Sequence, residues 1–261
     1  VFGLAMWYWR KKKYAVKSRK MLAWFTHFFV QNKESKELLN SININQVTIS
    51  GDARFDRVYS ITQNSKRLPL VEKFVGDKPV IIGGSTWKPG EELLIRYFKE
   101  SSQPLKLIIA PHEIHKENME RIWSSFEGKK VIKYSEADED NISGYDVLII
   151  DGMGFLSSVY KYGSVAYIGG GFGKGIHNIL EAATFGLPVL FGPNYLKFKE
   201  AVELEKLGGA YSIADYAELK TKLDDLISDP DKLNECSKIS SNYVQQNIGA
   251  TQKILEIVHF E

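Results

Sequence analysis

The sequence predicts an α/β fold built on a parallel, doubly wound sheet. Two patterns predict it. After residue 50, short β-branched apolar runs alternate with longer amphipathic stretches, and each run feeds a loop of small or polar residues. The runs are 80–82, 105–110, 130–133, 147–150, 165–168 and 188–191. Near-continuous apolar runs of this length suit strands buried on both faces. Helical stretches lie between them at 91–100, 115–126, 155–162 and 178–185, and strands alternating with helices make parallel βαβ units. Helices at 217–228 and 232–247, and a short one from Thr251, close the chain. The theme occurs once earlier, as strand 28–31, helix 34–40 and strand 46–50. Residues 54–76 are polar and irregular and read as a linker. The expected segments are 1–53, the end of one α/β domain; 54–76, the linker; 77–245, a complete α/β domain; and 246–261, a terminal helix. A single βαβ unit is a poor domain by itself, and the chain opens on Val1. An N-terminal portion is therefore expected to be missing.

Composition excludes several classes. Apolar residues make 44% and charged residues 25% of 261, ordinary for a soluble globular protein. A net charge of +2 argues against a nucleic-acid partner. The single cysteine, Cys236, excludes a disulfide scaffold and a cysteine zinc site, and fits a reducing compartment. Charge is uneven, however. Residues 1–36 hold nine Lys or Arg against one acid, Glu34, and nine aromatics fall within residues 1–29. Trp and Tyr beside a basic run suit a membrane interface; the plainer reading is a solvated helix face with core aromatics. No apolar run reaches the ~20 residues of a membrane-spanning helix.

The chemistry is expected beyond the carboxyl ends of the strands, where open parallel sheets bind ligands. There the sequence places Gly83-Gly84-Ser85-Thr86, Pro111-His112-Glu113, Asp151-Gly152-Met153-Gly154, Gly169 to Gly175, and Gly192-Pro193. The glycine loop fits neither the dinucleotide pattern, whose last glycine would fall on Lys174 or Ile176, nor the P-loop, because Ile168 stands where its first glycine belongs. It ends at His177-Asn178, with Glu181 three residues on, close to a capping box. A helix start behind a glycine loop favours a phosphate; the plain alternative is a capped helix after a tight turn. Ser85 and Thr86 could donate to a phosphate or cap the following helix. His112 reads as a site residue or a structural turn histidine. Asp138-Glu139-Asp140 reads as a solvated loop rather than a metal site. No metal-ligand spacing and no Gly-x-Ser-x-Gly occur.

Several segments, in order, resemble the 3-deoxy-D-manno-octulosonic acid (Kdo) transferases. They are Phe29-Val30-Gln31-Asn32, Gly51-Asp52-Ala53-Arg54-Phe55-Asp56-Arg57-Val58, Gly84-Ser85-Thr86-Trp87, Asp151-Gly152-Met153-Gly154, Gly175-Ile176-His177-Asn178-Ile179-Leu180-Glu181-Ala182-Ala183 and Gly192-Pro193. Three positions depart from the family pattern: Phe155 where Glu often stands, His112 where a basic residue often follows the proline, and Ile176 within the Gly-Gly-His-Asn form.

The resemblance implies a GT-B fold of two Rossmann-like domains, of which this chain would be the end of the first and all of the second. It implies metal-independent, inverting transfer of Kdo from CMP-Kdo to a lipid A precursor in lipopolysaccharide synthesis, at the cytoplasmic face of the inner membrane, with no cofactor. Carried over by motif, Pro111, His112, Met153, Gly154, Phe155, Gly175, Asn178, Ile179, Leu180 and Glu181 would contact the donor, joined by Ser85 and Thr86 from the first loop. Arg54 would approach the donor's charge. The family's catalytic base lies in the missing region, so none is assigned here and the chain is expected to be inactive alone. The alternatives are another GT-B enzyme, a UDP-sugar transferase or 2-epimerase, or a non-catalytic nucleotide-binding module.

Overall fold

A computed structural model describes residues 21–258. The chain divides into two compact units: residues up to Arg57 together with those from Gln246 onward, and Val58–Gln245. The basic aromatic segment 1–20 lies outside the described residues. Among the described residues, no helix is long and apolar enough to cross a membrane.

The first unit pairs β1 (Phe28–Val30) with β2 (Val47–Ile49) in parallel, with α1 (Lys33–Asn40) between them. Asn32 caps α1 by accepting the Ser35 N–H at 2.8 Å. Leu22, Val30, Leu39, Ile44 and Val47 form its small core. α2 (Ala53–Asn64) starts here, and α11 (Ala250–Leu255) is part of the same unit. Asp56 on α2 accepts the N–H of Gly249 at 2.5 Å and the N–H and hydroxyl of Thr251 at 2.7 and 2.9 Å. Its carboxylate therefore caps α11. Burial pushes its pKa up, but the hydrogen bonds from Gly249, Thr251 and Ala250 together outweigh this, and the net shift is downward from 3.8.

The second unit is one seven-stranded, all-parallel sheet in the order β5–β6–β4–β3–β7–β8–β9. Its strands are β3 (Val80–Thr86), β4 (Lys106–Pro111), β5 (Val131–Lys133), β6 (Val147–Ile149), β7 (Val165–Ile168), β8 (Val189–Phe191) and β9 (Ala210–Ser212). Except in the edge strand β9, where Tyr211 is half-buried, their centres are almost wholly buried, as expected for a sheet covered on both faces. α3 (Pro69–Val75), α4 (Lys88–Glu100), α5 (Lys116–Ser124), α6 (Leu156–Val159), α7 (Leu180–Ala183), α8 (Lys199–Leu207), α9 (Tyr216–Ser228) and α10 (Pro230–Gln246) complete the fold. The chain reverses its direction of winding between β3 and β7, and a crevice at such a point is where these sheets bind ligands.

Four readings are corrected. Residues 54–76 are largely helical, in α2 and α3. Their apolar positions are sparse, Phe55 with Val58 and Val71 with Phe74, but each pair is three apart and buries one face. The strand β9 was missed because Ala210-Tyr211-Ser212 has no apolar run. The polar helix α8 was missed too; it ends at Gly208, whose φ of 88° supplies a left-handed cap. The helix expected at 178–185 has only four α-helical residues, because its hydrogen bonds change from i−4 to i−3 at Phe185 and Gly186.

Two outcomes follow. A Cβ at Gly169 would lie 2.0 Å from the Ser85 carbonyl oxygen and 2.8 Å from the Thr86 Cα, so Gly169→Ala should cost about 2–3 kcal/mol in urea denaturation. Asp56→Ala should cost about 1 kcal/mol at neutral pH, the size of a lost cap. Because the folded pKa is depressed, that contribution is present above about pH 3.8 and is lost as pH falls through the lower folded value. Denaturation of parent and variant should therefore converge in acid.

Candidate functional site

The sheet order sets four loops side by side at the carboxyl edge, those after β6, β4, β3 and β7. At its centre the ends of β3 and β7 approach very closely. Gly84 has no room for a side chain, since a Cβ would lie 1.9 Å from the Tyr160 hydroxyl oxygen. Beyond it the register against β4 slips between Gly84 and Thr86, and Ser85 takes a φ of 47°, a strained value for a residue with a side chain. The slip turns Thr86 inward and delivers Trp87 to the edge. The Thr86 hydroxyl donates to Glu91 at 2.8 Å. Glu91 is 0% exposed and pairs with Arg121 on α5, which also donates to Asn118. A buried carboxylate needs such partners. Thr86 thus fastens the loop to α4 and α5, while the neighbouring Ser85 is partly exposed.

The glycine loop after β7 folds on itself. Gly170, at φ 90°, accepts from Gly173 and Gly175, and Gly169 accepts from His177 at 3.0 Å. Asn194 clamps it from the β8 loop, donating its backbone N–H to Gly171 and its side-chain amide to Gly173. This brings His177 beside Trp87 and His112. The Trp87 Nε1–H donates to His177 Nε2 at 2.9 Å. The His112 ring stacks on both, at 4.6 Å from Trp87 and 4.5 Å from His177. An indole N–H only donates, so His177 Nε2 must be unprotonated. Burial, helped by the neighbouring His112 charge, lowers the His177 pKa from 6.5. A cavity of about 570 Å³ adjoins, lined by Trp87, Tyr167, Phe172, Lys174 and His177 among others.

The remaining predicted residues are placed as follows. Asn178 accepts the Leu180 N–H at 3.1 Å and donates to Glu181 at 3.1 Å, so the pair is mutually oriented at the start of α7; Ile179 and Leu180 are buried behind it. With four residues, α7 carries little dipole. Pro111 is buried at the end of β4 and His112 is exposed. Gly154 takes a φ of 83°, Met153 is 87% exposed, and Phe155 rests on Tyr134 at 5.0 Å. Arg54 lies in the first unit and is bound to Asp52 through Nε and Nη2 at 2.9 and 2.7 Å. Asp138 accepts from Asp140 and Asn141 and shapes its own turn. Among the described residues, no three His, Cys, Asp or Glu side chains are placed to share a metal. Sequence reasoning missed Trp87, Lys174 and His177 as a group; the signal available was that each sits in a strand-end loop.

The second unit, with its parallel sheet and the crevice at its carboxyl edge, has the Rossmann-like fold of the GT-B type. It shares its fold with the C-terminal CMP-Kdo binding domain of WaaA from Acinetobacter baumannii (TM-score 0.56, 20% identity, 74% of this chain and 98% of that one). The chain also shares its fold with Anabaena HepE in complex with UDP-glucose (TM-score 0.53, 13% identity, 88% and 63%). By sequence the chain is a relative of the Kdo transferases. It is 30% identical to the 3-deoxy-D-manno-octulosonic acid transferase of Aquifex aeolicus over 210 residues, covering 78% of this chain and 54% of that protein. It is 25% identical to that of Rickettsia bellii over 242 residues, covering 90% and 57%. The chain thus spans about half the length of the curated relatives it matches. No family model matches it.

Trp87→Phe removes a hydrogen bond that only the unprotonated His177 Nε2 accepts, so the His177 pKa should rise in an NMR titration while burial and His112 still hold it below 6.5. The parent protein's bond should hold above about pH 6.5 and be lost as pH falls through the lowered value. A parent His177 titrating at or above 6.5 contradicts the lowered pKa and a persistent Trp87 bond to the neutral ring.

Proposed function

We propose that this chain is the donor-binding half of a Kdo transferase, whose donor is CMP-Kdo and whose acceptor is a lipid A precursor in lipopolysaccharide synthesis. The observation that carries the reading is the row of four adjacent loops at one sheet edge, which hold most of the segments by which the sequence resembles the Kdo transferases. Pro111, His112, Met153, Gly154 and Phe155 sit on the β4 and β6 loops, suited to the cytidine. Gly175 and Asn178 to Glu181 sit beyond β7, suited to the ribose and phosphate. Asn178 holds the Glu181 carboxylate in place, ready to accept from ribose hydroxyls.

The transfer is inverting and uses no metal or cofactor. Two things lower its barrier: a base that takes the acceptor hydroxyl proton, and donors that stabilise the departing CMP phosphate. The glycine loop serves the second role, because its backbone approaches a ligand without side chains in the way. No residue of this chain is assigned as the base. The enzyme works at the cytoplasmic face of the inner membrane. The basic aromatic composition of residues 1–36 supports this, as do the exposed Trp24 and Phe25.

Calorimetric titration of this chain with CMP, UMP and ADP tests the reading. CMP should bind best, and Asn178→Ala with Glu181→Ala should weaken it by about tenfold or more, the worth of one or two lost hydrogen bonds to a charged group. A preference for UMP would move the assignment to a UDP-sugar transferase or epimerase.

A further inference from the structure

The Trp87 and His177 rings are parallel to within 6°, with centroids 6.4 Å apart. They are joined edge to edge by the 2.9 Å hydrogen bond. Two parallel rings bonded in their common plane form one flat surface, wider than either ring alone. His112 covers one side of it, stacking on both rings. Trp87 and His177 also line the 570 Å³ cavity, whereas His112 does not. The uncovered side of the plate therefore borders the cavity. Pro89, Tyr167 and Phe172 extend this apolar lining. Lys174 is the only ionised side chain among the lining residues, and no carboxylate lines the space. The volume is that of a small-ligand site.

We propose that the Trp87–His177 plate is a stacking wall for the apolar face of the transferred sugar, and that Lys174 is the counter-charge for that sugar's carboxylate. The inference rests on the donor-site reading and assigns the part of the donor that this cavity takes. A flat apolar wall facing one cation suits a saccharide that carries both a C–H face and an acid group. Kdo has both: its 3-deoxy carbon leaves a stretch of ring edge without a hydroxyl, and C1 is a carboxylate. A nucleobase would use the plate but has no negative charge for Lys174. A neutral hexose would use the plate and leave Lys174 without a counter-ion. The hydrogen bond to His177 fixes the indole before any ligand arrives, which lowers the ordering cost of binding.

The test is calorimetric titration of the chain with CMP, with free Kdo and with the Kdo methyl ester, which keeps the ring but lacks the charge. Kdo should bind about tenfold or more tightly than the ester, the worth of one charge-assisted hydrogen bond. Lys174→Ala should bring Kdo down to the level of the ester and leave CMP unchanged. Trp87→Ala should weaken Kdo and the ester alike. Lys174 lies on an exposed loop, so its variant remains informative even if Trp87→Ala disturbs the fold. Equal binding of Kdo and its ester, or CMP binding without Kdo binding, overturns this inference alone. Loss of CMP affinity in Lys174→Ala overturns it in favour of a phosphate contact. If neither CMP nor Kdo binds, the donor-site reading falls and takes this inference with it.

Discussion

The ends of β3 and β7 meet at a distance that no side chain would permit. Gly84 lies against the Tyr160 hydroxyl and Gly169 against the Ser85 carbonyl. This constraint shapes everything at the carboxyl edge. The two central strands meet where the sheet reverses its winding, and beside them Ser85 takes a left-handed φ of 47°. The strain is held by the buried Glu91, which Thr86 and Arg121 satisfy from two sides. Loop and helices thus support each other, the Thr86 hydroxyl reaching Glu91 on α4 and Glu91 pairing with Arg121 on α5.

The polar groups beyond that contact fall into two sets. Thr86, Glu91, Arg121 and Asn118 spend their hydrogen bonds on each other and fix the geometry. His112, Lys174, Asn178 and Glu181 remain at the surface of the crevice with capacity for a ligand. His177 belongs to both, because Trp87 fixes its tautomer on one ring nitrogen and leaves the other to donate. A similar economy operates in the first unit. Asp56, part of the Gly-Asp-Ala-Arg-Phe-Asp-Arg segment, spends its carboxylate on the start of α11. Arg54, two residues earlier, is held by Asp52.

Much of this was legible in the sequence. Six of the seven strands of the large sheet were read within one or two residues at their starts, because β-branched apolar runs have few other solutions in a chain of this length. β3 ran four residues further than its apolar run, since Gly83 and Gly84 pair in the sheet without apolar side chains. The helices α2 and α3 were lost among Gln, Asn, Ser and Lys, because two buried positions per helix are too few to show a period.

The sequence by itself determined the fold class, the edge of the sheet at which chemistry belongs, and the kinship with the Kdo transferases, since each depends on local periodicity or contiguous motifs. Only the tertiary structure decided what those residues do for one another. Trp87, His112 and His177 are 25 and 65 residues apart in successive steps, and no spacing rule relates them. They meet because β4, β3 and β7 are neighbours, a pairing set by sheet order rather than by chain order. Likewise Thr86 read as a phosphate donor or a cap, and its burial beside Glu91 settled where its hydroxyl points, because a charge removed from water takes whatever donors the fold brings to it.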